Sequence, residues 1–97
     1  MAAGERDAQA EPFTLTNLGP GIITAVMLSP AGEGRFGDSL IGRVALPPGQ
    51  SLHLTPPRGT ACRADLRIRW ADGRTEEQAG EDLCRPHLVL RIASPPP

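Results

Sequence analysis

Four side chains in this sequence carry the donor atoms of a soft-metal site: His53, Cys62, Cys84 and His87. Cys84-Arg85-Pro86-His87 is a C-x-x-H, and two thiolates with two imidazoles make the ligand count of tetrahedral zinc. The wider spacing matches no common zinc finger, and Pro86 stiffens the C-x-x-H. Oxidation of the two sulfurs would remove the site altogether. A metal-binding protein using His53, Cys62, Cys84 and His87 is therefore the alternative to a plainer expectation. That expectation is a structural disulfide, two surface histidines and no cofactor.

Nucleophilic chemistry has less support. Ser39 follows Asp38 in Gly-Asp-Ser, without the G-x-S-x-G turn between strand and helix that exposes a nucleophilic serine. Either histidine could act as its base, yet nothing in the spacing places one beside it. A small hydrolase around Ser39 is thus a third reading. The chain is expected not to be an enzyme, with no catalytic residue assigned. The acidic pairs Glu76-Glu77 and Glu81-Asp82, with Asp38 and Asp72 as further candidates, lack the D-x-D-x-D-G rhythm of a calcium loop. They read more simply as a solvated strand edge that resists sheet-to-sheet aggregation. The Gly-rich run 32–37 does not join a strand to a helix, so it is no phosphate loop.

Charge narrows the partners. All ten basic residues are arginine, against eleven acidic ones, for a net charge of −1. No long-range field steers such a chain to nucleic acid. The row Arg63, Arg67, Arg69 is interrupted by Asp65 and has no aromatic within it, so it reads as a wet strand face. No apolar run approaches the ~18 residues that a membrane-spanning helix needs. Two cysteines in a small chain rich in proline and glycine suggest one disulfide and an oxidising compartment. Ala8-Gln9-Ala10 before Glu11 has the small-x-small form of a signal-peptidase site, though no hydrophobic signal core precedes it. The expected location is periplasmic or secreted, with the export signal absent from this chain.

The elements that would position these residues are strands. From residue 61 to 70 the chain reads Ala-Cys-Arg-Ala-Asp-Leu-Arg-Ile-Arg-Trp. Cys62, Ala64, Leu66, Ile68 and Trp70 alternate with Arg63, Asp65, Arg67 and Arg69, the period of a strand with one dry and one wet face. Residues 13–18 predict a first strand, and 22–29 a β-branched run apolar on both faces, hence a central strand. Residues 38–46 read as an irregular third strand, or as one helical turn capped by Asp38. Pro47-Pro48-Gly49 is a type II turn, and 50–55 returns as a strand. The polar leg 74–82 reads as a ragged edge, and 87–92 alternates again. Residues 1–12 are expected to be disordered, 13–93 to form one domain, and 94–97 a proline-rich tail.

Six or seven short strands with turn signals between them predict an all-β fold. A small antiparallel β-sandwich is preferred, with a barrel as runner-up, because the polar 74–82 leg hinders closure. Asp72-Gly73 is a hairpin signal, and Cys62 and Cys84 lie on opposite legs of that turn. Folding there sets them nearly opposite, at a spacing that suits a disulfide. Closing that loop stabilises the fold by about 3 kcal/mol through lost chain entropy.

An ordered series of motifs adds to this reading: Phe-Thr-Leu-Thr-Asn from Phe13, Ser29-Pro30, Phe-Gly-Asp-Ser-Leu from Phe36, Pro48-Gly49, Cys-Arg-Ala-Asp-Leu-Arg from Cys62, Asp72-Gly73 and Asp-Leu-Cys ending at Cys84. The series resembles uncharacterised small exported bacterial β-sandwich proteins with the pattern F-x-L-x-N…G…I…S-P, W-G-x-D-x-L-G, C-x-x-D-L-R…D-G…L-C. Phe13, Asn17, Ser29, Gly37, Leu40, Gly49, Cys62, Asp65, Asp72, Gly73 and Cys84 fall on it. Phe36 stands where tryptophan is usual, and Asp38 follows Gly37 directly. The resemblance implies export and the disulfide, and brings no catalytic residue. The combined expectation is an exported β-domain, monomeric or weakly oligomeric, with a non-catalytic binding or structural role. Its expected surface is Phe36, Asp38, Arg63, Asp65, Arg67 and Arg69, facing an unknown protein or small ligand.

Overall fold

A computed structural model of the chain describes residues 9–93 and contains no helix among them. Six strands form two three-stranded sheets, β3-β1-β6 and β2-β4-β5, packed face to face without closing into a barrel. The strands are β1 (Phe13–Gly19), β2 (Ile23–Pro30), β3 (Ser51–Leu54), β4 (Arg63–Trp70), β5 (Thr75–Asp82) and β6 (Val89–Ala93).

β4 is the centre of its sheet, antiparallel to β2 on one side and β5 on the other. Its alternation does what the residue types dictate. Ala64, Leu66, Ile68 and Trp70 are buried, while Arg63, Asp65, Arg67 and Arg69 line the opposite, wetter face. β1 is the centre of the other sheet and sends Phe13, Leu15 and Asn17 inward. The core is closed by Ile23, Val26, Leu54, Leu83, Leu90 and Ile92. With few aromatics, these aliphatic side chains carry the stability, at about 1.5–3 kcal/mol for each one fully buried.

Three expectations are corrected. The sandwich is not antiparallel throughout, because β6 runs parallel to β1, pairing Thr14 with Val89 and Asn17 with Ile92. Residues 38–46 do not form a strand: a turn at 40–43 interrupts them, with Gly42 at φ 58°. Nor is β2 a central strand, since it ends its sheet. Its apolar character has a different cause. The 37–46 segment runs along its outer edge, where Gly37 N–H donates to the Leu28 carbonyl (3.1 Å) and Leu40 N–H to Val26 (2.7 Å). Leu46 and Ile23 exchange both main-chain bonds. β2 is thereby covered without a neighbouring strand.

The stretch 1–12 falls mostly outside the described residues, and the 94–97 tail entirely so. Its end is tied to the domain. Ala10 N–H donates to the Thr60 carbonyl (2.8 Å), Glu11 N–H to Leu83 (3.1 Å), and Gln9 Oε1 accepts Gly59 N–H (3.0 Å).

Candidate functional site

The chemistry-bearing residues are organised by the β4–β5 hairpin. Its turn is the Asp-Gly step: Gly73, at φ 91°, donates to the Trp70 carbonyl (2.9 Å), and Trp70 N–H donates to Arg74 (2.9 Å). Asp72 Oδ1 accepts Arg74 N–H (3.0 Å), and this bond, with the adjacent guanidinium, holds the Asp72 carboxyl below its ordinary value. Beyond the turn the register shifts between Leu66↔Gln78 and Ala64↔Glu81, so Ala79 and Gly80 together oppose Asp65. This is a β-bulge, and Gly80 at φ 67° supplies the left-handed conformation that an L side chain resists.

The bulge sets the cysteines. Leu83 N–H donates to the Cys62 carbonyl (2.7 Å), and Cys84, the next residue, is bonded to Cys62 with Cα atoms 5.1 Å apart. The disulfide read from the sequence is present. Asp82 lies in the same cluster, its potential ligand atom within 4.8 Å of both sulfurs, and Asp82 Oδ1 accepts Cys84 N–H (3.0 Å). The histidines do not join it. His53 sits on β3 in the other sheet, its Nδ1 3.4 Å from Thr14 Oγ1, and His87 lies in the connection to β6. The set His53, Cys62, Cys84, His87 is not assembled, and both sulfurs are bonded to each other.

On the wet face of β4, Asp65 is held by main-chain amides. It does not pair across strands with arginine. Its Oδ1 accepts Gly80 N–H (2.8 Å) and its Oδ2 accepts Gly32 N–H (3.0 Å), so one carboxylate ties the bulge of β5 to the loop after β2. These two amides lower its pKa below the ordinary aspartate value. Arg63 Nη1 donates to the Gly80 carbonyl (3.1 Å), reinforcing the same bulge. Arg67 lies over Phe36, its guanidinium carbon 4.1 Å from the ring centroid, and donates through Nε (3.0 Å) and Nη2 (2.7 Å) to Glu77 Oε2. Phe36, Arg67 and Glu77 thus converge, and Asp65 shares their face of β4. Asp38 and Arg69 are exposed and take no part in this cluster.

Ser39 is a structural acceptor. Its Oγ receives Val26 N–H (3.1 Å) and Ile41 N–H (3.4 Å), which places the hydroxyl at the edge of β2. Asn17 is the polar residue that spacing alone overlooks. Fully buried, it donates through Nδ2 to the carbonyls of Gly21 and Leu46 (both 2.8 Å) and accepts Gly19 N–H at Oδ1 (2.7 Å). Its main chain receives Gly49 N–H (2.7 Å) from the Pro47–Gly49 turn. Gly19 is required here, because a Cβ on it would meet Pro48 Cβ at 3.0 Å. The available signal was an amide at the inward position that follows Phe13 and Leu15. Buried Ser29 acts likewise, accepting Arg35 N–H (2.8 Å) and so fixing the loop that carries Phe36.

Two shallow clefts flank these features. One of about 280 Å³ lies between the end of β2 and residues 57–61. Another, of about 330 Å³, lies beside β6 and includes Arg85, His87, Val89 and Arg91. No protein-family model matches the chain, and no curated protein or solved structure matches it.

Proposed function

We propose that this is a non-catalytic contact domain of an oxidising, periplasmic or extracellular compartment, working through the face that Phe36 and Arg67 present. One observation carries this reading: Arg67 is stacked on Phe36 and held by Glu77, giving an ordered aromatic–cation–acid patch on an exposed face. A patch fixed before binding loses little side-chain entropy when a partner arrives. Aromatic and arginine side chains are also those that anchor protein contacts. The absence of catalysis is supported by how the reactive groups are occupied. The cysteines are joined, the Ser39 oxygen accepts two amides, and Asp65 is bound by two more. A disulfide at the open end of the hairpin suits an exported protein.

A photo-crosslinking residue at position 36, in protein directed to the periplasm, tests the contact role. Defined adducts are expected there and not at exposed Arg58, while the unmodified domain keeps no free thiol. Equal yields at the two positions, or two free thiols in the exported protein, would sink the reading. A metal-binding role is the second reading, favoured by the Cys62, Asp82 and Cys84 cluster rather than by the histidines. It requires reduced sulfurs, since thiolate and not disulfide sulfur is the ligand. Stoichiometric zinc retained by protein with both thiols free would favour it over the contact role.

A further inference from the structure

Among the described residues, β6 ends its sheet with no strand on its outer side. The parallel register opposes Thr14 to Val89, and Thr14 N–H donates to the Leu88 carbonyl (3.1 Å). In a parallel ladder a residue bonds to the two neighbours of the one it faces. The N–H and C=O of Val89, and by alternation those of Arg91, therefore point away from β1. Leu88, Leu90 and Ile92 are buried, so the side chains of Val89 and Arg91 stand on the outer face. There Arg85, His87 and Arg91 line the 330 Å³ cleft with Val89. None of the three basic side chains has a hydrogen-bonding or ionic partner among the described residues. His87, at φ 55°, is also the only non-glycine among them with positive φ. Such a conformation costs free energy and recurs at binding sites.

We infer that the outer edge of β6 receives an extended acidic peptide segment of another protein as an added strand. The Val89 and Arg91 main chain supplies the ladder. The incoming chain sets one side chain against Val89 and a carboxylate against Arg91, with Arg85 and His87 available to a second carboxylate. Charge complementarity selects the occupant. A second copy of β6, Val-Leu-Arg-Ile-Ala, brings no carboxylate to this edge and adds further positive charge to it. The acidic β5 of a second copy is unsuited as well: Glu76 and Gln78 pair with Ile68 and Leu66 and so share their core-directed side, and the bulge breaks the ladder. This inference does not depend on the Phe36 patch being a contact site.

The test uses a terminally blocked octapeptide of alternating glutamate and valine, titrated into isotopically labelled protein and followed by amide NMR. Shifts centred on Val89 and Arg91, slowed exchange of their two amides, and weaker binding at high salt are expected. The double variant Arg85→Ala/Arg91→Ala, folded by its own spectrum, should bind about tenfold or more weakly, as loss of charge-assisted bonds implies. No binding up to millimolar peptide would overturn the inference. So would shifts confined to β3 or β5, equal binding by a lysine–valine peptide, or equal binding after alternate amides are N-methylated.

Discussion

β5 and β6 each end a sheet, and they treat that position in opposite ways. β5 carries glutamate and glutamine on its core-directed side, opposite Ile68 and Leu66, and is bent by the bulge at Ala79 and Gly80. It is anchored by Asp65 and by the Cys62–Cys84 bond just past its end. β6 has leucine and isoleucine inward, lacks a bulge facing solvent, and leaves Arg85, His87 and Arg91 without a side-chain partner among the described residues. The difference teaches that the more charged of these two edge strands is the one made unfit for pairing, whereas the one with the cleaner alternation keeps a usable edge. Edge protection is a property of where a charge points, and composition alone does not reveal it.

Removing the devices that hold β5 should bring the two edges closer in behaviour. The largest effect is expected from Cys62→Ser/Cys84→Ser, which frees the open end of the hairpin. Unfolding in denaturant should show a loss of about 3 kcal/mol, the chain entropy of the opened loop. Hydrogen exchange should accelerate in β5 before β6, and the opposite order would break the comparison.

Asp65→Ala comes next, with a melting temperature lower by a few degrees at neutral pH. Its dependence on pH has a definite sign. The folded Asp65 carboxyl sits below its ordinary value of 3.8, so its contribution is present above that value and lost as pH falls through the folded pKa. The gap between wild type and variant should stay constant near neutrality and close in acid. A gap that widens in acid would show that the two amides do not stabilise the charged form.

A smaller effect is expected at Arg67 and Glu77, whose side chains are 37% and 50% exposed. A double-mutant cycle with alanine should return a coupling of a few tenths of a kcal/mol, because solvent screens the pair. The smallest change in stability belongs to Glu76→Val, within about 0.5 kcal/mol. Its readout is association instead: light scattering should detect concentration-dependent growth once the charge opposite Ile68 is gone. A strictly monomeric variant would mean that the bulge alone protects β5.

The sandwich and its disulfide were legible in the sequence because both rest on local signals. The alternation from Arg63 to Trp70 fixes which face is dry, and Asp72-Gly73 fixes where the hairpin folds. The run containing Leu40, Val44 and Leu46 misled because apolar residues that cover a strand edge resemble residues within a strand. Gly42 was the mark against it. The direction of β6 left no local trace, since pairing between distant segments is decided by the whole sheet. The candidate site was half legible. Phe36 and Arg67 do meet, but the partners of Asp65 are main-chain amides, which a residue-by-residue reading of charge does not supply.

The parallel pairing of Thr14 with Val89 has a bearing on biogenesis. The strand at the middle of one sheet obtains its second neighbour only when the last strand of the domain has been made. While residues 89–93 are still in the ribosome, half of the sandwich lacks a flank, and Leu15 and Phe13 have no complete cover. Such long-range closure is slow compared with forming a hairpin. A nascent chain built this way stays open until β6 has emerged, long after the β4–β5 hairpin can form.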